Sequence, residues 1–180
     1  MGIKLRLGLN EIEVKQRKIF TLLKELEKVA SMVALGALKY GMISHSPEKE
    51  IVFDWDKIVD FQGDTAPYIQ YTYARAQSIL RKALTKGKAK ASDLKEAKEK
   101  ALIKKISEFP EIADKAAQDL RPHYVANYVF DLATLFNEFY QSIPVIGSEK
   151  EEARIFLVEN VSQVLERGLQ LLGIEAPEEM

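Results

Sequence analysis

Apolar residues recur at helical spacing along almost the whole chain, and that period commits it to helices. The clearest run is Ile155, Val158, Val161, Leu165, Leu169 and Leu172, which forms one stripe on a helix of 3.6 residues per turn. Val125, Val129, Leu132, Phe136 and Phe139 make a second. A helix with one apolar stripe must bury it against other elements, so successive stripes predict an all-α helical bundle. Gly, Pro and capping residues punctuate the stripes. Gly173 stops the last helix, and Ser148 with Glu151 predicts a capping box at its start. Pro144 and Gly147 break the chain before it. Pro122 opens a helix predicted over 122–141. A short helix is expected over 110–120, preceded by one capped by Ser92 that ends before Pro110. Lys86-Gly87-Lys88-Ala89-Lys90 reads as a flexible turn after a helix over 64–84. Residues 44–62 read as a connector, with an extended piece at 50–53, a helical turn over 55–61, and Trp55 assigned to packing. A long first helix is predicted over 10–42 from an Asn10 cap, with Ser31 or Gly36 as places for a break. Ahead of it Ile3, Leu5, Leu7 and Leu9 alternate with other residues as a short strand-like run.

The residues that most chemistries need are absent or isolated. The chain has no cysteine, which removes disulfide frameworks and thiolate metal sites. Its two histidines, His45 and His123, lie far apart in sequence. Asp54 and Asp56 have no third ligand at metal spacing, so capping is their expected duty, and a local hydrogen bond is expected for His123. No Gly-rich phosphate loop is present. No enzyme activity, metal or cofactor is expected. At 180 residues one core is expected. The most apolar stretch, 29–43, is too short to span a bilayer and contains Lys39. No secretory signal opens the chain. With 19 Lys and 19 Glu, the composition fits a thermophile-type cytoplasmic protein that does not enter membranes.

One segment does carry chemistry: Gly63-Asp64-Thr65-Ala66-Pro67-Tyr68-Ile69-Gln70-Tyr71-Thr72-Tyr73-Ala74-Arg75. Gly63 permits a sharp turn, Asp64 or Thr65 can cap a helix, and Pro67 suits its first turn. At roughly 100° per residue, Tyr68, Tyr71 and Arg75 then share one face. Two phenols and a guanidinium can stack on an unpaired base and grip its phosphate. A second reading makes them core tyrosines and a surface arginine. Charge distribution bears on the choice. Net charge is −1, but residues 75–105 hold eleven Lys/Arg against three Asp/Glu, a local +8. A local positive field draws phosphate even on a near-neutral molecule. The alternative is a solvated helical surface, above all for residues 95–105.

The wording of several segments resembles class I arginyl-tRNA synthetases, at and beyond the junction of their catalytic and anticodon-binding domains. These segments are Ile51-Val52-Phe53-Asp54-Trp55-Asp56, then Phe61-Gln62-Gly63-Asp64-Thr65-Ala66-Pro67-Tyr68-Ile69-Gln70-Tyr71 and Ala74-Arg75. Downstream, Phe109-Pro110-Glu111, Pro122-His123, Tyr128-Val129-Phe130-Asp131-Leu132-Ala133, Phe136-Asn137-Glu138-Phe139-Tyr140 and Pro144-Val145 are similar. So is Gly173-Ile174-Glu175-Ala176-Pro177-Glu178-Glu179-Met180, since the family ends on such a Pro-Glu-x-Met. The family's Asp-Ala-Leu-Arg signature is only partly kept, as Glu152-Ala153-Arg154. The likeness covers about residues 29–180 and implies a helical domain of the anticodon-binding type over 28–180. Residues 1–27 read as an N-terminal extension, an extended run plus a helix start. The catalytic motifs, a His-x-Gly-His type element and a Lys-Met-Ser-Lys type loop, do not occur. A free-standing anticodon-binding domain is therefore expected, a natural short protein in preference to an excised piece.

In that family, the residues matching Tyr68, Tyr71, Arg75, Tyr128 and Met180 line the anticodon site. The resemblance thus implies a non-catalytic tRNA-binding protein that holds an anticodon stem-loop, with arginine tRNA as the candidate. Lys86, Lys88 and Lys90 are expected to add affinity without base preference. A separate tRNA-modifying enzyme, or another protein, is the expected partner. Two alternatives stand beside this reading: a protein–protein module derived from such a domain, and a split or excised part of a synthetase.

Overall fold

The structure is a computed structural model that describes residues 2–51, 54–83 and 93–180. Among the described residues it contains six helices and no strand: α1 Gly2–Ile43, α2 Trp55–Ile58, α3 Ala66–Lys82, α4 Ala97–Asp119, α5 His123–Ser142 and α6 Glu151–Leu171. The chain divides into two compact units, Met1–Ser31 and Met32–Met180. The first is the leading part of α1, with Leu22, Leu23 and Leu26 exposed. In place of the expected strand-like run and the Asn10 cap, the backbone is helical from Gly2 onward. Alternation over the seven residues 3–9 cannot hold a strand without a partner strand. No break occurs at Ser31 or Gly36; the Ser31 hydroxyl donates back to the Glu27 carbonyl at 2.9 Å, a bond that leaves the helix intact.

In the second unit α5 packs against α3, α4 and α6, and α6 also contacts α3 and α4. The apolar stripes read from sequence meet here. Val129, Leu132 and Phe136 of α5, Val158, Val161 and Leu165 of α6, Ile69 of α3 and Leu102 of α4 are fully buried. Gly168 lets α5 and α6 approach: a Cβ there would stand 2.2 Å from Val129 Cγ1. Tyr40, on α1, is buried with its hydroxyl 2.6 Å from Asp64 Oδ1, to which it donates. Burial, reinforced by Asp64, pushes that phenol well above its ordinary range.

Several boundaries differ from expectation for physical reasons. Residues 97–119 form one helix with Pro110 inside it. Proline costs a helix one hydrogen bond, but Ile103, Ile106, Phe109 and Ile112 pack against the core on both sides of it and hold the helix together. Ser148 does not cap α6. Its hydroxyl donates to the Val145 carbonyl at 3.1 Å, and the Glu151 carboxylate accepts from the Gly147 N–H at 2.6 Å. Gly147 and Gly173 adopt φ of +75° and +66°, which closes the turns on either side of α6. Asp54 caps α2, accepting from the Asp56 and Lys57 N–H groups. His123 is buried edge-on to Tyr124, ring centroids 4.6 Å apart, and the expected local bond is not seen: its Nδ1 has no partner among the described residues. The extended piece at 52–53, the Trp55 side chain, the lysine turn with Lys86, Lys88 and Lys90, and the Ser92 cap lie outside what the structure describes.

Candidate nucleic-acid interface

The segment singled out in the sequence begins α3. Thr65 is the cap, its Oγ1 accepting from the Tyr68 N–H at 3.3 Å, and the Pro follows in the first turn. Once α3 is set, the four-residue spacing of Tyr71, Arg75 and Ile79 places them along one face. That face is the floor of an open cleft of about 660 Å³. Tyr140 from α5 and the turn 143–146 form its far wall, and Arg81, Lys82, Glu179 and Met180 close its end.

Arg75 is the centre of the cleft. Its guanidinium carbon lies 4.7 Å from the Tyr71 ring centroid and 5.4 Å from that of Tyr140. Cations at such distances are attracted to the ring quadrupole. Arg75 Nη1 also donates to Asn137 Oδ1 at 2.5 Å. Both tyrosines keep part of their surface open: Tyr71 is 40% and Tyr140 42% exposed. Tyr140 is backed by Phe136 in a near-parallel stack, 6.4 Å between centroids. Arg75, Arg81 and Lys82 bring three cations to the cleft, and Glu179 brings one carboxylate side chain, paired with Arg81.

The tail after α6 is fastened across α3. Lys39 donates to the Gly173 carbonyl. Gln70 Nε2 donates to the Glu175 carbonyl at 2.7 Å. Arg81 donates to the Glu178 carbonyl at 3.3 Å and pairs with Glu179 at 3.2 Å. These bonds deliver Met180, 43% exposed, to the cleft. The 143–146 turn is fastened as well. Arg154, the arginine of the partly kept signature, donates from Nη1 to the Pro144 carbonyl and from Nε to Glu99 Oε1, both at 2.8 Å. Burial alone would raise the Glu99 carboxyl. The Glu96 N–H and the Arg154 guanidinium outweigh it and hold Glu99 below its ordinary value.

The expected site residues thus separate. Tyr71, Arg75 and Met180 meet in the cleft. Tyr68 lies one turn earlier, half-buried against Phe130 with ring centroids 5.6 Å apart, and outside the cleft lining. Tyr128 needs correcting. It is 3% exposed, its hydroxyl donates to the Lys105 carbonyl at 2.5 Å, and Phe109 packs on its ring at 5.5 Å. It shares the core face of α5 with Val125, Val129 and Leu132, so its ring cannot serve as an open platform. Burial pushes its phenol well above the ordinary range. The α5 tyrosine that lies against Arg75 is Tyr140. It stands in a segment already noted for its likeness, Phe136-Asn137-Glu138-Phe139-Tyr140, but it reads as the end of an apolar stripe. At the far end of the basic block, Lys98 donates to the Glu138 carbonyl and Ser142 Oγ, and Lys105 pairs with Asp131 at 2.8 Å. Those two lysines are committed to α5.

Among the described residues no group of three His, Asp or Glu could hold a metal ion. No helix among them is long and apolar enough to cross a membrane.

Residues 69–180 match the DALR anticodon binding domain. An arginine–tRNA ligase of Pyrococcus abyssi is 46% identical in an alignment that covers 87% of this chain and 26% of that protein. The structure of Thermus thermophilus arginyl-tRNA synthetase superposes with a TM-score of 0.81 at 40% identity, over 86% of this chain and 28% of that one. That of the Plasmodium falciparum enzyme gives 0.77 at 25% identity, over 93% and 31%. The chain therefore spans about a quarter of the length of the relatives it matches.

Proposed function

The chain belongs to the DALR anticodon-binding domain family, and on that footing we propose that it binds tRNA through the anticodon stem-loop without performing chemistry on it. The observation that carries this reading is Arg75 held between the Tyr71 and Tyr140 rings at the floor of an open, cationic cleft. An anticodon loop offers unstacked bases and closely spaced phosphates. Phenol faces and the Met180 thioether supply the lost stacking, and the arginines and Lys82 meet the phosphates. The reading applies to this chain acting alone or as part of a longer protein. It places that action in the cytoplasm, where tRNA is charged and used, with arginine tRNA as the first candidate. Handing the bound tRNA to a separate modifying enzyme is the finer form of the proposal, and recovery of such an enzyme in complex with this chain and tRNA would support it.

The test is a titration of the protein with whole tRNA and with an isolated anticodon stem-loop at two salt concentrations. Both are expected to bind, and more weakly at high salt, because phosphate contacts release counterions. If neither binds in low salt at protein concentrations of roughly 10⁻⁵ M, in the range of ordinary non-specific binding, the reading falls. A protein-docking role would then take its place. The exposed Leu22, Leu23 and Leu26 of the first unit favour that second reading.

A further inference from the structure

Arg75 does not hold its position by ring contacts alone. Behind the cleft a directed chain of hydrogen bonds runs from α3 to α5 and back. The Thr72 hydroxyl donates to the Tyr68 carbonyl at 2.8 Å. Its single proton is thereby used, so its oxygen can only accept. Asn137 Nδ2 donates to that oxygen at 2.8 Å. This fixes which way the Asn137 amide faces: the NH₂ meets Thr72, and the carbonyl is left pointing at Arg75. Arg75 Nη1 donates to it at 2.5 Å. Thr72 is fully buried and Asn137 is 7% exposed, and neither lines the cleft.

We infer that Asn137, oriented by Thr72, is a positioning residue that holds the Arg75 guanidinium between Tyr71 and Tyr140 and so prepares the cleft for RNA. The inference rests on the tRNA-binding reading for its purpose, though not for its geometry. An unrestrained arginine has many rotamers, and ordering it at the moment of binding costs affinity. A single neutral acceptor at one Nη orients the plate and leaves its full charge available. A carboxylate at the same place would orient it equally well and cancel the charge. A buried amide fits both needs, and the buried hydroxyl behind it stops the amide from turning over. The arrangement explains why a polar pair is buried between α3 and α5 where an apolar pair would pack more simply.

The experiment pairs two readouts on the full chain. The first is the guanidinium NMR spectrum of Arg75 in the free protein. In the wild type its Nη groups are expected to be distinct and slow to rotate. In N137A and T72V they are expected to average, and in T72S, which keeps the hydroxyl, to remain as in the wild type. The second is affinity for an anticodon stem-loop. N137A and T72V are each expected to lose roughly tenfold, the scale of one hydrogen bond to a charged group, and T72S to lose little. In the N137A background R75A is expected to cost clearly less than it does in the wild type, because the two are coupled. N137D is expected to keep the Arg75 signals distinct and yet lower the salt dependence, since it neutralises the cation it orients.

Arg75 signals that are unchanged in N137A, or losses in N137A and R75A that simply add, would overturn the inference. Should N137A fail to fold, T72V against T72S decides in the same way. Wild-type protein that binds no stem-loop, with Arg75 still responding to Thr72 and Asn137, would sink the tRNA reading and leave the positioning role standing.

Discussion

Tyr71 and Tyr140 stand on different helices, far apart in sequence, and face the same guanidinium in space. Only half of that arrangement is readable from the residues. Tyr71 and Arg75 are one helical turn apart, so their shared face follows from the period of α3 alone. Tyr140 and Asn137 reach Arg75 only through the register of α5 on α3, which no local pattern encodes. The same limit explains Tyr128. A tyrosine is amphipathic, and its sequence position does not say whether its ring packs or waits for a ligand; here its hydroxyl is satisfied by the Lys105 carbonyl and the ring is buried. The difference is measurable. Y71A and Y140A should each cost about 1–3 kcal/mol in stem-loop affinity, the range for loss of a base-stacking aromatic, with the salt slope nearly unchanged. Y128F should leave affinity intact and lower the melting temperature, because it removes the hydroxyl that ties α5 to the Lys105 carbonyl of α4. Titration and thermal melting of the three variants check both halves. A Y128F protein that melts normally but binds weakly would return Tyr128 to the site.

At the scale of elements the helices were legible and their joints were not. The stripes of α5 and α6 appear in the sequence as they pack. The proline at position 110 reads as a helix end, and only the core contacts of α4 on either side of it show why the helix continues. The closeness of α5 and α6 is equally invisible, since Gly168 carries no pattern; in the structure its missing Cβ is the space that Val129 fills. G168A should therefore force those helices apart and cost about 1–3 kcal/mol, the usual scale of overpacking, read as a lower urea midpoint. The joint between α4, α6 and the 143–146 turn depends on Glu99 and Arg154. Glu99 is held below its ordinary value, so the folded state favours the carboxylate. Its contribution is fully present above the ordinary carboxylate range near pH 4.3, and is lost as the pH falls through the lower folded value. E99Q should cost about 3 kcal/mol at pH 7, the lower end for breaking a buried pair, because the amide keeps one hydrogen bond to Arg154. The gap between wild type and E99Q should then narrow as the urea midpoint is measured at progressively lower pH. A gap that stays constant into acid would show that the Glu99 charge contributes nothing.

Over the whole molecule, charge divides the work between recognition and attraction. The fold class followed from periodicity, and the family from the wording of residues 29–180, because both are properties of the chain itself. The field is also a property of the chain: +8 in residues 75–105 against −9 in residues 106–180, where five Lys/Arg face fourteen Asp/Glu. What the sequence could not show is which cations stay free. Lys105 is neutralised by Asp131 of α5, and Arg81 is shared with Glu178 and Glu179 of the tail, whereas Lys98 is tied to α5 by neutral partners and keeps its charge. Arg75 keeps its charge, since its hydrogen-bond partner is a neutral amide. On the proposed tRNA-binding reading, long-range attraction is expected to draw on lysines outside these pairs, and Lys86, Lys88 and Lys90 follow α3 in the chain. Replacing all three with Gln should lower the slope of log affinity against log salt by about 2 if each meets one phosphate of a single-stranded loop. The loss should be equal for loops of different sequence, because phosphate contacts carry no base information. Y71A should behave in the opposite way, losing affinity at every salt concentration with the slope preserved. A triple lysine variant whose salt slope matches the wild type would move the electrostatic attraction from that segment to the arginines and Lys82 of the cleft, and the cleft alone would then have to account for both attraction and recognition.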